Sequence, residues 1–351
     1  MNSRNSMKVA VYYNNKKIDL EERQIPEIAS NEILVQTKAC GLCGGETMEW
    51  YLAPRAPKIL GHEPTGIVAK CGADVKGVKE GDRVFVHHHV PCFKCHYCIN
   101  GFYTLCETYK KTNIDPGGFA EYFRVPAPNL EYGTLILPEH ISFDEGTLIE
   151  PMACTLRGVK QTKVNHGDTV VIIGLGMMGM SYLKLLALTP AAAIIALDFS
   201  DWRLEKAIEF GATHTINPKR EPAKEKLQEI NHGRLADAVF VTAPSVPAWE
   251  AGFGLCGKGS RIHFGAPPHP DDRLNFNPNW AYFNELNVNC SYSASHIETR
   301  EMLQLISSGR VDVKPLITHH FGLHQVPEAV SLLLGADRSF KSVIVPEMTT
   351  I

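Results

Sequence analysis

Four cysteines lie within fifteen residues at C-x2-C-x2-C-x7-C spacing: Cys92, Cys95, Cys98 and Cys106. Four thiolates so close in sequence can close a tetrahedral zinc site whose role is to fold a loop; an iron–sulfur cluster uses the same donors. A second group upstream offers different chemistry. Cys40-Gly41-Leu42-Cys43-Gly44-Gly45-Glu46 and Gly61-His62-Glu63 supply thiolate, imidazole and carboxylate, a borderline-soft set that suits zinc. Cys40 reads as structural. So does the run His87-His88-His89: on a strand, adjacent side chains point to opposite faces and cannot converge.

A third stretch has no ligating side chain but could hold a ligand. Ile173-Gly174-Leu175-Gly176-Met177-Met178-Gly179 carries glycines at GxGxxG spacing between an apolar strand-like run, Thr169 to Ile173, and an apolar helical run, Met180 to Leu188. Gly174 suits a tight turn, Gly176 a close approach of backbone to a pyrophosphate, and Gly179 close packing of helix on strand. The helix start, at Met177 and Met178, offers free N–H groups to phosphates. A second strand, Ala192 to Leu197, ends in Asp198, 19 residues after Gly179. A carboxylate there can accept from both ribose hydroxyls and repels a 2′-phosphate, which favours NAD over NADP. Arg203 either flanks the adenosine or is a solvated helix residue.

These residues need a scaffold. Residues 7 to about 150 read as mostly β, with alternating runs such as Glu32 to Thr37, Gly66 to Lys70 and Arg83 to His87 bounded by turn formers. From about Thr155 to Val288 strands and helices alternate, as a doubly wound parallel sheet requires. Its strand ends at Thr242 and at Phe264-Gly265 fall where such a sheet presents ligand-facing loops: they either line the nicotinamide half or are simply turns. An amphipathic helix, Ile297 to Ser307, and a closing strand, Lys341 to Val345, follow.

The bulk numbers fit this picture. The chain has 351 residues, enough for two domains, with 44% hydrophobic and 21% charged residues. A net charge of −3 gives no reason to expect nucleic acid or an anionic membrane as a partner. The start reads as polar, without a signal peptide, and no apolar stretch is long enough to span a bilayer, so a cytoplasmic protein is expected. Ten cysteines in such a chain point to metal or catalysis rather than disulfides.

Taken together, the motifs resemble the zinc-dependent medium-chain dehydrogenases, the alcohol and polyol dehydrogenases. Gly61-His62-Glu63-x2-Gly66-x5-Gly72-x2-Val75 is similar to that family's signature at every fixed position, and Pro116 to Tyr122 resembles a further segment. Leu148-Ile149-Glu150-Pro151 and Pro315 to His319 are similar to the sorbitol and iditol dehydrogenase branch. The resemblance implies an α/β Rossmann domain, residues 155–288, and a mostly β, GroES-like catalytic domain, residues 1–154 and 289–351, with the four-cysteine lobe at about 91–107. The cofactor is expected between them. It implies one structural and one catalytic zinc per chain and NAD.

By resemblance, Cys43 and His62 are ligands of the catalytic zinc. Glu150 is the third, with Cys154 a nearby alternative. Glu63 is a fourth ligand or a carboxylate close behind the others. Glu46 holds the place of an aspartate that orients a ligand. One departure stands out. Family members usually carry a hydroxyl and a histidine that pass the alcohol proton to solvent, and here those places hold Gly45 and Met48. Thr47, Glu49, Glu63, water or a group on the substrate could take over. Trp50 and Tyr51 either shape the pocket or are ordinary aromatics. The implied activity is hydride transfer from a secondary alcohol, a polyol, sugar or cyclitol, to NAD in a homo-oligomer, dimer or tetramer. Two other readings remain: oxidation of an amino alcohol, as in threonine dehydrogenase, and a NAD-binding scaffold that has lost turnover along with the relay.

Overall fold

The computed structural model describes residues 5–335 and 338–348. The chain divides into two compact units, Met1–Ala153 with Ser293–Ile351, and Cys154–Tyr292. The return to the first unit comes a few residues later than the sequence suggests. Asn287–Cys290 is a strand paired in parallel with Cys256–Phe264, so backbone hydrogen bonds hold those residues in the second unit's sheet.

That sheet has six strands in the order His214–Ile216, Ala193–Leu197, Thr169–Ile173, Ala236–Val241, Cys256–Phe264, Asn287–Cys290. All pairings are parallel. Thr169–Ile173 is buried at every position, as a central parallel strand covered on both faces must be. The chain order reverses at this strand. Its carboxyl end therefore opens at the switch point of the sheet, where ligands of such folds bind. Helix Met177–Leu186 starts there, and helix Asp201–Glu209 follows the next strand and stops before Gly211, whose φ of +110° suits glycine.

The first unit is mostly β. Its larger sheet runs Ile317–Phe321, Lys341–Ile344, Ile33–Gly41, Glu63–Cys71, Arg83–Val86, Thr134–Ile136, with Tyr122–Val125 also on Ile33–Gly41. A three-stranded sheet is built around Ser6–Asn14. One apolar core lies under Ile33, Val35, Val68, Val84 and Phe123, and a second gathers Tyr12, Leu52, Phe119 and Val330.

The register of the larger sheet explains how distant residues meet. Gly41 pairs with both Val343 and Glu63, and Thr65 pairs with Phe85. These strands run antiparallel, so the end of one lies beside the start of the next. Residues 41–43, 63, 87 and 341 thus collect at one end of one sheet. The third strand ends at Val86, one residue short of the expected His87, and the backbone bends at His88.

Candidate active site and metal centres

The four-cysteine lobe is compact. Cys92, Cys95, Cys98 and Cys106 have all their sulfurs within 4.8 Å of one another. The Cys95 and Cys98 sulfurs are 3.5 Å apart, and the Cys92 N–H donates to the Cys106 sulfur at 3.4 Å. Burial pushes the Cys98 thiol up to about 12. Burial also opposes ionisation of Cys106, but N–H donors from Cys92 and Tyr109 outweigh it and bring that thiol down to about 6. A lobe of four converging sulfurs with one acidic thiol fits a tetrahedral cation better than four neutral thiols.

The second site is assembled by Glu46. This buried carboxylate caps a short turn, Gly44–Thr47, by accepting from the Cys43 N–H at 3.1 Å. Its other oxygen accepts from the Gly61 N–H at 2.6 Å and lies 3.0 Å from His62 Nδ1. With Nδ1 held by the carboxylate, Nε2 is left to ligate, the usual arrangement behind a metal-bound imidazole. Burial opposes the Glu46 charge, but His62 and the two N–H donors outweigh it and hold its carboxyl below the ordinary range. Likewise, burial disfavours the His62 imidazolium, yet Glu46 and Cys43 raise its pKa well above 6.5. Donor atoms of Cys43, His62 and Glu63 lie within 4.8 Å of one another.

Glu63 has a partner that motif spacing does not reveal. Lys341 reaches it from the last strand with Nζ at 2.9 and 2.6 Å from the two carboxylate oxygens, and also donates to the Leu42 carbonyl at 3.1 Å. Both side chains are almost fully buried, at 2% and 0% exposure. Burial would lower the Lys341 pKa, but the carboxylate against it raises it above the ordinary value, helped by the charges of Cys43 and Glu150. A Cβ at Gly41 would sit 1.9 Å from a Glu63 carboxylate oxygen, so only glycine leaves room for this pair. A lysine opening a Val/Ile strand is buried only with a counter-ion, but nothing local in the sequence says which carboxylate that is.

Glu150, near the start of helix Ile149–Thr162, converges with His87 and His88: donor atoms of the three lie within 4.8 Å. The reading that adjacent histidines cannot converge does not hold, because the strand stops at Val86 and the bend at His88 turns both rings the same way. They stack at 5.0 Å with a 20° interplanar angle, and the His88 ring is 4.8 Å from that of His62. Of the substitute relay groups, Thr47 is engaged elsewhere, its hydroxyl donating to the Gly44 carbonyl at 2.8 Å. Trp50 and Tyr51 are over a third exposed, with Arg55 stacked 3.9 Å over the Tyr51 ring.

In the second unit the glycine loop has the expected mechanics. Gly174 has φ of +90°, and a Cβ on Gly179 would lie 1.9 Å from the Gly174 carbonyl oxygen. Gly176 differs: no atom lies within 4 Å of the place its Cβ would take, which leaves the approach to the helix N-terminus clear. That open face, with the half-buried Met177 and Met178 beginning the helix, fits a pyrophosphate. Asp198 accepts from the Leu175 N–H at 2.7 Å and the Ser200 N–H at 2.9 Å, and faces Arg203 at 3.7 Å. Its oxygens keep lone pairs for ribose hydroxyls.

Two expected lining residues do other work. The Thr242 hydroxyl donates to the Gly174 carbonyl at 2.6 Å, pinning the loop. The Phe264 ring stacks on Trp249 at 3.9 Å inside the core, and Gly265 lies against the Tyr182 ring. The Thr242 hydroxyl hydrogen and the Phe264 ring are thus engaged within the fold.

Known proteins share this arrangement. Residues 29–132 match the alcohol dehydrogenase GroES-like domain, and residues 174–308 the zinc-binding dehydrogenase domain. A sorbitol dehydrogenase of Bacillus subtilis is 29% identical, covering 94% of both chains. The "Probable D-xylulose reductase A" of Emericella nidulans is 32% identical over 86% of each, and an L-threonine 3-dehydrogenase of Caldanaerobacter subterraneus is 31% identical over 93% of this chain and 95% of its own. Among solved structures, a zinc-binding dehydrogenase from Sinorhizobium meliloti bound to NADP superposes with a TM-score of 0.88 at 26% identity, covering 97% of this chain and 99% of the other. Sequence motifs, sheet topology and relatives of this similarity agree: the chain belongs to the zinc-dependent medium-chain alcohol dehydrogenase family, near its polyol dehydrogenase branch.

Proposed function

We propose that this protein oxidises a CHOH group of a polyol, sugar or cyclitol to the ketone with NAD, and runs in reverse. The observation that carries the reading is the convergence of Cys43, His62 and Glu63, with His62 oriented by Glu46. These side chains, with Glu150 from the helix start, would hold a zinc ion. When bound, zinc supplies Lewis-acid polarisation of the substrate oxygen and NAD accepts the hydride. The chain does the rest. Glu46 fixes the imidazole, Lys341 pairs with the buried Glu63 carboxylate, and the Gly174–Gly179 turn presents N–H groups to the cofactor's phosphates. With Gly45 and Met48 at the relay positions, the alcohol proton passes to water or to a group on the substrate. Asp198 favours NAD over NADP by accepting ribose hydroxyls and repelling a 2′-phosphate.

Protein purified without added metal should carry zinc and reduce NAD with sorbitol or xylitol. Cys43→Ala should abolish turnover while keeping NAD binding. Full activity in that variant overturns the metal assignment, activity on threonine alone favours the amino-alcohol reading, and NAD binding without any oxidation favours a scaffold. Asp198→Asn should narrow the preference for NAD over NADP; a wild type that already prefers NADP overturns the role of Asp198.

We also propose a homo-oligomer built on the outer edge of the six-stranded sheet. Strand Asn287–Cys290 ends that sheet, and beside it Tyr282 and Phe283 are 77% and 73% exposed. A bare strand edge with apolar neighbours is a ready pairing surface for a second copy. Among the described residues no helix is long and apolar enough to cross a membrane. The ten unpaired thiols suit a reducing compartment, the cytoplasm.

A further inference from the structure

His87 is 1% exposed and its Nε2 has no hydrogen-bond partner. A buried imidazole nitrogen without a partner is costly and calls for an explanation. The other nitrogen supplies one. Nδ1 lies 2.6 Å from the His89 carbonyl oxygen, a distance at which it must donate. The His89 N–H also lies 3.1 Å from Nδ1, but the carbonyl is the shorter contact and sets the tautomer: the proton is on Nδ1, and Nε2 carries a bare lone pair 4.0 Å from the Glu150 carboxylate. A neutral imidazole lone pair and a carboxylate oxygen this close in a buried place are two donors that one cation can bridge. The neighbouring His88 has a buried Nδ1 that is also unpartnered.

We propose that His87, His88 and Glu150 bind a divalent transition-metal ion of their own, beside the Cys43–His62–Glu63 site. Two imidazoles and one carboxylate on one side form a three-donor set with open positions, which suits zinc, cobalt, manganese or ferrous iron. The three donor atoms already lie within 4.8 Å of one another, so small rotamer shifts bring them to bonding distance. The Nδ1 contact of His87 to a carbonyl is the backing that ligating histidines ordinarily have. Since the His88 ring lies 4.8 Å from the His62 ring, the two donor sets are neighbours, and Glu150, with two oxygens, can serve both. The sequence offered HHH; the bend at His88 is what makes a site of it.

The test is a cobalt titration of the metal-stripped full-length chain, read by native mass spectrometry and absorption. Three equivalents are expected in the wild type. Two should bring thiolate-to-cobalt charge-transfer bands, from Cys43 and the four-cysteine lobe, and the third only d–d bands. His87→Phe and His88→Ala should each bind two, losing the equivalent without charge transfer. Cys43→Ser should keep it and lose one of the others. Two equivalents in the wild type, both with thiolate bands, overturn the proposal. So does loss of the Cys43 band in His88→Ala, which would make all the donors ligands of a single ion. The wild-type count stands whether or not a variant folds, and none of these readouts depends on which alcohol is oxidised.

Discussion

At the scale of single residues the site rests on buried charge held by geometry. Glu63 and Lys341 face each other at 2.6 Å with essentially no exposure. A buried ion pair adds little net stability over an apolar pair of the same shape, but losing one partner strands the other. Lys341→Met should therefore cost about 3–5 kcal/mol of unfolding free energy. The double variant with Glu63→Gln should recover much of it. Urea denaturation of the metal-free protein measures both, and additive losses would show that the two side chains act independently. Glu46 was legible by resemblance, in the place of an aspartate that orients a ligand, and the structure shows it capping the turn after Cys43. Lys341 was not, because nothing local ties position 341 to position 63; only the register through Gly41 does.

At the scale of elements the reading succeeded where a motif is bounded by one turn. The glycine loop and the strand Thr169–Ile173 fall where the spacing puts them, since turn, strand and helix are specified within a dozen residues. It failed where the end of an element decides the direction of a side chain. One residue separates Val86 from the expected strand end at His87, and that residue reverses the meaning of two histidines, His87 and His88. The direction of the Phe264 ring was not legible for a related reason: a strand end can turn a ring inward onto Trp249 as easily as outward.

Strand Cys256–Phe264 carries a second buried imidazole with a measurable consequence. His263 is wholly buried, with Nδ1 2.5 Å from Asn289 Oδ1 and Nε2 2.9 Å from the Tyr182 hydroxyl. Burial lowers its pKa below 6.5 in spite of Asn289. A histidine lowered on folding lends stability in full above its unfolded pKa of about 6.5, and loses it as pH falls toward the folded value. Stability should drop below pH 6.5 with a slope from this group of at most about 1.4 kcal/mol per pH unit. Denaturant midpoints at pH 7 and pH 5 should differ less in His263→Asn; equal slopes in the two proteins would remove His263 from the account.

On the scale of the whole molecule, the division into two units was legible from the change of pattern near residue 154, because parallel and antiparallel sheets leave different periodicities. The return point was not, since the parallel strand Asn287–Cys290 is short and partly polar. That strand makes the oligomer testable. Val288→Lys, a substitution at a 46% exposed position, should shift the protein to a smaller species in light scattering coupled to size exclusion. An unchanged mass would place the interface elsewhere.

The Glu63–Lys341 pair also sets an order of events in time. Its two members are 278 residues apart, and the strand that carries Lys341 is the last described strand in chain order. A chain growing from its amino end makes Cys43, His62 and Glu63 early, yet holds a carboxylate that cannot be buried until nearly the whole sequence has been synthesised. Until then the metal loop stays open to water. Maturation of the centre is thereby tied to completion of the polypeptide, and a chain ending before Lys341 would be caught at the stage where its ligands exist but their pocket cannot close.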